Sequence, residues 1–238
     1  MMIDMPRLPW ILMYHSIDTA RSDPHMICVS PAQFSVQMEW LSRQGFRGVS
    51  MAELMRSRDP AAEKLVGLTF DDGFEDFLDN AMPVLDRHGF TATAFVIAER
   101  LGGYNDWDFS SGADKRKIMS VEQVRELAST TIEVGSHSLT HRHLPELSDS
   151  EAEAEIAGSR MALERIIDKP VLGFCYPYGS VDARISAMTQ QAGYRYACAT
   201  KATIRPSGHS IPRCFVGERD TPLRLALKRV RHLAIAPR

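Results

Sequence analysis

The sequence predicts an α/β fold, a distorted (β/α)7-type barrel of mostly parallel strands. Short β-rich runs alternate with amphipathic stretches along nearly the whole chain, and repeated units of that length build a parallel sheet buried on both faces. About seven such units are present, enough to close or nearly close a barrel. An open doubly wound sheet is the other arrangement compatible with this rhythm. Length agrees with either: 238 residues, 44% hydrophobic and 24% charged, supply a sizeable core, and single barrels commonly reach this size. One domain spanning 1–238 is therefore expected.

The first unit opens with ILMYH (11–15) as a strand and FSVQMEWLSRQG (34–45) as a helix that stops at a glycine, a common helix terminator. KLVGLTF (64–70) is the next strand, followed by a helix through EDFLDNAMPVLDRHG (75–89) and strand ATAFVI (92–97). Helix SVEQVRELA (120–128), strand IEVGS (132–136) and a long helix over SDSEAEAEIAGSRMALERII (148–167) come next. Ser148 and Glu151 have the spacing of a capping box that opens the long helix. Strand VLGFCY (171–176), helix DARISAMTQQAG (182–193), strands YRYACAT (194–200) and IPRCFV (211–216) and a terminal helix complete the order. The longest irregular stretch is 99–117, and the chain has no internal repeat or low-complexity linker.

Composition excludes several classes of function. A formal net charge of −2 and a pI near 6.4 give no broad attraction to nucleic acid or anionic lipid. The basic segment LKRVRHL (227–233) shares its length with Leu225, Leu227, Val230 and Leu233, so it reads as an amphipathic terminal helix with a solvated basic face. No run approaches the ~18 apolar residues of a membrane span. At the start, Asp4, Pro6, Arg7 and Pro9 interrupt any export signal, and a cytoplasmic location is expected. Cys28, Cys175, Cys198 and Cys214 form no C-x-x-C pair and read as buried free thiols.

Ligands of barrels and open α/β sheets sit at the carboxyl ends of the strands. Four predicted strands end in chemically capable groups: LTF runs into Asp71 and Asp72, IEVGS into His137, FCY into Pro177-Tyr178-Gly179, and ILMY into His15. Taken alone, one aspartate of the pair could simply cap the helix beginning near Glu75. SHSLTH, however, places His137 and His141 four residues apart, close enough on a turn or compact loop to point both imidazoles at one centre. One carboxylate and two imidazoles make a facial set of metal ligands with open positions. The doubled aspartate then acquires a reason: one binds a cation while its neighbour remains a base for metal-activated water.

TFDDGF (69–74), SHSLTH (136–141) and YPYG (176–179) together resemble the NodB-type polysaccharide deacetylases, carbohydrate esterase family 4, over nearly the whole chain. The resemblance implies that Asp71 is the general base and that Asp72, His137 and His141 bind a divalent cation, usually zinc, with cobalt or nickel as alternatives. It implies that Tyr178 offers its backbone N–H to an oxyanion and its ring, with Pro177, to a carbohydrate substrate. Two departures stand out. The arginine that many members carry just before Pro-Tyr is replaced by Cys175, leaving Arg213 of SIPRCFV as a candidate substitute or a structural ion-pair partner. The usual C-terminal Leu-x-His-Asp setting is absent, but MYHSI (13–17) resembles the arrangement in poly-N-acetylglucosamine deacetylases, which implies His15 as general acid.

Trp107, in the aromatic loop GGYNDWDF (102–109), either stacks on a sugar or pins the loop to the barrel. His143 reads as a flanking residue, and His25 and His88 have no partner visible in the sequence. The activity expected is metal-dependent removal of N-acetyl groups from a sugar or glycan. Hydrolysis of an O-acetyl ester or acylated small molecule, and an inactive glycan-binding barrel, are the alternatives.

Overall fold

Among the described residues every pairing between strands is parallel, and all strands join one sheet. The computed structural model describes residues 9–57, 59, 61, 63–200 and 206–235. Residues 1–8, where most of the breaks in an export signal fall, and the side chain of Leu233 lie outside the described residues. In chain order the strands are β1 (Ile11–Tyr14), β2 (Arg47–Val49), β3 (Leu65–Phe70), β4 (Thr93–Val96), β5 (Glu133–Ser136), β6 (Gly173–Cys175), β7 (Tyr196–Ala199), β8 (Ile211–Pro212) and β9 (Cys214–Phe215). Their spatial order is β8-β7-β6-β5-β4-β3-β1-β9, with β2 also paired to β3. Helices α1 (Pro31–Arg43), α2 (Met51–Leu54), α3 (Met82–His88), α4 (Val121–Leu127), α5 (Asp149–Ile167), α6 (Ala183–Gln191) and α7 (Pro222–Ile235) alternate with them. The nearly closed α/β barrel is the architecture that the alternating pattern predicts.

The edges of this sheet meet through the chain itself. IPRCFV is not one strand: β8 pairs with β7 at one edge, β9 pairs with β1 at the other, and Arg213 alone separates them. A single residue thus carries the backbone across the seam of the barrel. Its guanidinium is buried there, where only a specific partner makes a charge tolerable.

Local chemistry explains most element boundaries. α1 begins three residues before Phe34 because Ser30 caps it, accepting from Gln33 N–H, with Pro31 at the first helical position. The Ser148–Glu151 capping box opens α5 as read, and Ser120 with Gln123 forms a second box at α4. The stretch 75–89 is not one α-helix: residues Phe77–Ala81 wind as a π-helix before α3 starts. Pro83 has no N–H to give to the preceding turn, so the winding changes just ahead of it. β2 and the one-turn α2 after it are absent from the pattern reading, because runs of three and four residues are too short to show a period.

The apolar side of α7 also departs from expectation. Leu225 is buried, but Leu223, Leu227 and Val230 are 71%, 52% and 63% exposed. The helix packs on α1 along a narrow line, and Arg229 lies over the Phe46 ring at 4.7 Å. Apolar spacing alone does not tell which stripe faces inward.

Candidate active site

The chain brings the predicted residues to one rim, at the carboxyl ends of β1, β3, β5 and β6. Asp71 continues the ladder of β3, its N–H donating to the Tyr14 carbonyl at 3.0 Å. Asp72 then turns left-handed, with φ 71°, followed by Gly73 at φ 73°. This bend lets two consecutive carboxylates line the same pocket, which an extended strand forbids. A side chain at Gly73 would also stand 3.0 Å from Val96 Cγ1, so glycine is required there for two reasons.

His137 follows β5, with its N–H on the Val96 carbonyl at 2.8 Å. Ser138 and His141 both adopt positive φ, 67° and 70°, and the Ser138 hydroxyl accepts from His141 N–H at 3.0 Å. Buried Glu155 of α5 holds this loop from below. Its carboxylate accepts Leu139 N–H at 3.0 Å and Thr140 N–H at 2.9 Å, and also the Thr140 hydroxyl. Tyr178, at φ 59°, is the third left-handed non-glycine residue lining the pocket, after Asp72 and His141. Each such residue stores about 1–3 kcal/mol of strain, and their grouping marks the rim as a place where geometry outweighs local comfort.

His137 Nε2 and His141 Nε2 lie 3.3 Å and 3.4 Å from the same oxygen, Asp72 Oδ1. Ligands held 2.0–2.1 Å from a tetrahedral cation stand about 3.3–3.4 Å apart, so this donor set fits such an ion. His137 Nδ1 is 2.8 Å from the Cys175 carbonyl. That contact puts the proton on Nδ1 and leaves the Nε2 lone pair facing Asp72. Burial pushes His141 down to about 3, keeping its ring in the neutral form that a ligand needs. Burial acts the same way on His137, but Cys175, Asp72 and Asp71 outweigh it and raise that group. Asp71, His137 and Cys175 also cluster. A cation is disfavoured there, because a guanidinium already occupies the Asp71 carboxylate.

That guanidinium belongs to Arg213. Its Nη1 and Nη2 donate to Asp71 Oδ1 and Oδ2, both at 2.7 Å, in a two-pronged pair. The remaining donors reach Thr69 Oγ1 at 2.9 Å, Cys175 Sγ at 3.0 Å and the Ala199 carbonyl at 3.3 Å. Burial opposes ionisation of Asp71, yet Arg213 overrides it and holds the carboxyl well below the usual carboxylate range. Asp72 is lowered as well, burial being outweighed by His137 and His141. His15 Nε2 lies 3.9 Å from Asp71 Oδ2.

The pocket has a volume of about 230 Å³. The Trp107 and Tyr178 rings flank His141 at 4.8 Å and 4.7 Å, and Tyr178 is 56% exposed. Pro177 is buried beneath the turn, and a Cβ on Gly179 would fall 1.8 Å from Thr200 Oγ1. His143 stays at the surface beside Glu146, and His88 stacks on Phe90, away from the pocket.

A family model described as polysaccharide deacetylase matches residues 58–197, more than half of the chain. The chain belongs to the polysaccharide deacetylase family. YxkH of Bacillus subtilis, which carries that family's name, is 29% identical over 82% of this chain and 65% of its own length. A poly-beta-1,6-N-acetyl-D-glucosamine N-deacetylase of Escherichia coli is 28% identical over 52% of this chain and 20% of its own length. The chain therefore spans less than two thirds of these relatives. Among solved structures, a polysaccharide deacetylase from Bacillus cereus superposes with a TM-score of 0.74 at 26% identity, covering 93% of this chain and 68% of that one.

Within this polysaccharide deacetylase-family fold, two pocket residues and one that supports the 137–141 loop escaped the sequence reading. His25 is not without partners: its Nε2 is 2.9 Å from Ser111 Oγ and 3.6 Å from Asp108 Oδ1. His25 and Asp108 both line the pocket, and burial and the nearby Asp72 charge raise Asp108. Glu155 lies within an acidic helix stretch, EAEAEIA, whose pattern does not tell the buried glutamate from its solvated neighbours.

Proposed function

We propose that the chain removes the acetyl group from the nitrogen of an N-acetylated sugar in a glycan, using a divalent cation held by Asp72, His137 and His141. The observation that carries this reading is the spacing of those three donors around one point, beside a second carboxylate gripped by arginine. Such a cation, zinc first and cobalt or nickel as alternatives, polarises a carbonyl and lowers the pKa of water toward about 7.

The chain supplies everything else. Asp71 takes the proton from the attacking water. Arg213 keeps it ionised and makes it a weak base, so it serves only water that has already been acidified. His15 gives a proton to the departing amine, a poor leaving group until protonated. At 3.9 Å from Asp71 Oδ2, His15 Nε2 stands beyond hydrogen-bond reach of the base, so the two groups act separately, Asp71 on the water and His15 on the amine. The backbone N–H of Tyr178 is the donor for the oxyanion. Trp107, Tyr178 and Pro177 form walls for the sugar ring, and N-acetylglucosamine units are the substrate favoured by the Escherichia coli relative.

Acetate released from N-acetylglucosamine oligomers tests this directly. Release should stop with a chelator, return with zinc or cobalt, and fail to return in Asp72→Ala or His141→Ala. Undiminished release from chelated, metal-free protein would sink the reading. Ester hydrolysis is the second reading, because an alkoxide leaves with less help than an amine. Activity of His15→Ala should fall by about 100-fold or more on an amide and much less on an O-acetyl ester.

A further inference from the structure

A second and larger cavity, about 500 Å³, adjoins the catalytic pocket, and its volume falls within the usual range for ligand sites. The two share a wall. Residues 25–28 alternate along it: His25 and Ile27 face the catalytic pocket, while Met26 and Cys28 face the larger cavity. Phe215 completes the wall and lines both spaces. Its ring is 6.4 Å from that of His15 on one side and 5.7 Å from Lys228 Nζ on the other. The rim is open at Met26, which is 62% exposed.

The chemistry of this cavity differs from that of its neighbour. Phe215 gives it an apolar floor, Met26 and Leu227 add apolar surface at the rim, and Arg219, Arg224 and Arg231 stand around it. None of these arginines has a carboxylate partner among the described residues; Arg224 Nη1 instead donates to the Arg219 carbonyl at 3.1 Å. The carboxylates that line the cavity keep their charge but are turned to other donors, and among the described residues Asp220 alone of them pairs with a cation. Asp23 accepts Ile27 N–H and Cys28 N–H, Glu218 accepts the N–H and hydroxyl of Ser30, and Asp220 accepts Gly217 N–H and Lys228 Nζ. With Lys228, these three arginines put four cations on the lining against the three carboxylates, and guanidinium groups without a carboxylate partner make a local site for an oxyanion, which the planar arginine fork matches in shape.

We infer that this cavity is an accessory subsite for an anionic substituent, a phosphate or carboxylate, on a sugar joined to the one being deacetylated. The inference rests on the proposed deacetylase reading and deepens it: the substrate is an acidic glycoconjugate rather than a neutral polymer. The apolar floor receives the face of the sugar or the group linked to it, and the arginines hold the charge. Because these arginines are exposed, the attraction weakens as salt rises.

Three disaccharides separate the sources of charge: N,N′-diacetylchitobiose, its 1-phosphate, and N-acetylglucosamine joined to glucuronic acid. At low salt at least one acidic substrate should exceed the neutral one about tenfold in kcat/KM, through KM, and the arm that does so names the group. Arg224→Gln/Arg231→Gln should erase the preference and leave the neutral sugar within about twofold, since neither residue touches the catalytic groups. Equal rates on all three substrates, or a preference that survives in the double variant, overturn the inference. A calorimetric titration of chelated protein with N-acetylglucosamine 1-phosphate decides the matter without turnover. Binding lost in the double variant supports the subsite even if no acetate is ever released, in which case the deacetylase reading alone falls. No binding either of the sugar 1-phosphate or of the glucuronate disaccharide, or equally tight binding of inorganic phosphate, removes the subsite.

Discussion

Arg213 determines what kind of group Asp71 is. A buried carboxylate by itself resists ionisation, and both oxygens of Asp71 accept from the same guanidinium at 2.7 Å. The sign of the effect follows. Arg213 lowers the pKa of Asp71, so stability from the ionised pair is present above the unfolded value of about 4 and is lost as pH falls below it. Replacing Arg213 with Met should cost about 3–5 kcal/mol, because it strands a buried charge; thermal unfolding at pH 7 measures this. In the same variant burial is opposed only by the nearby His137 and His15, so Asp71 stays protonated to higher pH. The acidic limb of the kcat/KM profile should then move upward by at least about one pH unit. An unshifted limb in a folded variant would assign Arg213 a structural role only.

At the scale of elements, catalytic geometry depends on loops fastened by neighbouring helices. The 137–141 loop contains two left-handed residues and is held by Glu155, a side chain of α5 that is 5% exposed and accepts two backbone N–H groups. Its removal leaves those donors unsatisfied at about 1–3 kcal/mol and frees the carrier of two ligands. Glu155→Ala should therefore weaken zinc binding by about 10–100-fold, read by competition with a chromophoric chelator, while far-UV circular dichroism stays unchanged. Zinc affinity equal to that of the parent would show the loop to be self-supporting. α5 thus holds the loop that carries two proposed ligands through a residue outside the pocket.

Taken as a whole, the barrel gathers the proposed ligands from parts of the chain that have no stable arrangement when unfolded, so binding of the proposed cation is expected to be linked to folding. A cation at 1,000 times its Kd adds about 4 kcal/mol to the folded state. Saturating zinc should raise the melting temperature by several degrees, chelator should reverse the rise, and Asp72→Ala should abolish it. A melting temperature indifferent to zinc in the parent would argue against a folded-state site. The seam has similar reach: Arg213 joins the two edges of the sheet and grips a residue 142 positions earlier, so closure of the barrel and setting of the proposed base, Asp71, occur at one residue.

The amino-acid order by itself determined the alternation of strand and helix, because periods of two and of 3.6 are written into local spacing. It also determined which polar groups stand at strand ends, and residue types alone made Asp72, His137 and His141 a plausible ligand set. Tertiary structure alone decided the rest. That IPRCFV splits at Arg213, that His25 meets Asp108, that Glu155 turns inward, and that the apolar stripe of α7 faces outward all depend on register and packing between distant segments. Local pattern constrains a residue's neighbours along the chain. Which charges meet across the barrel follows from closing the sheet, where a buried arginine is tolerated only against the one carboxylate placed to receive it.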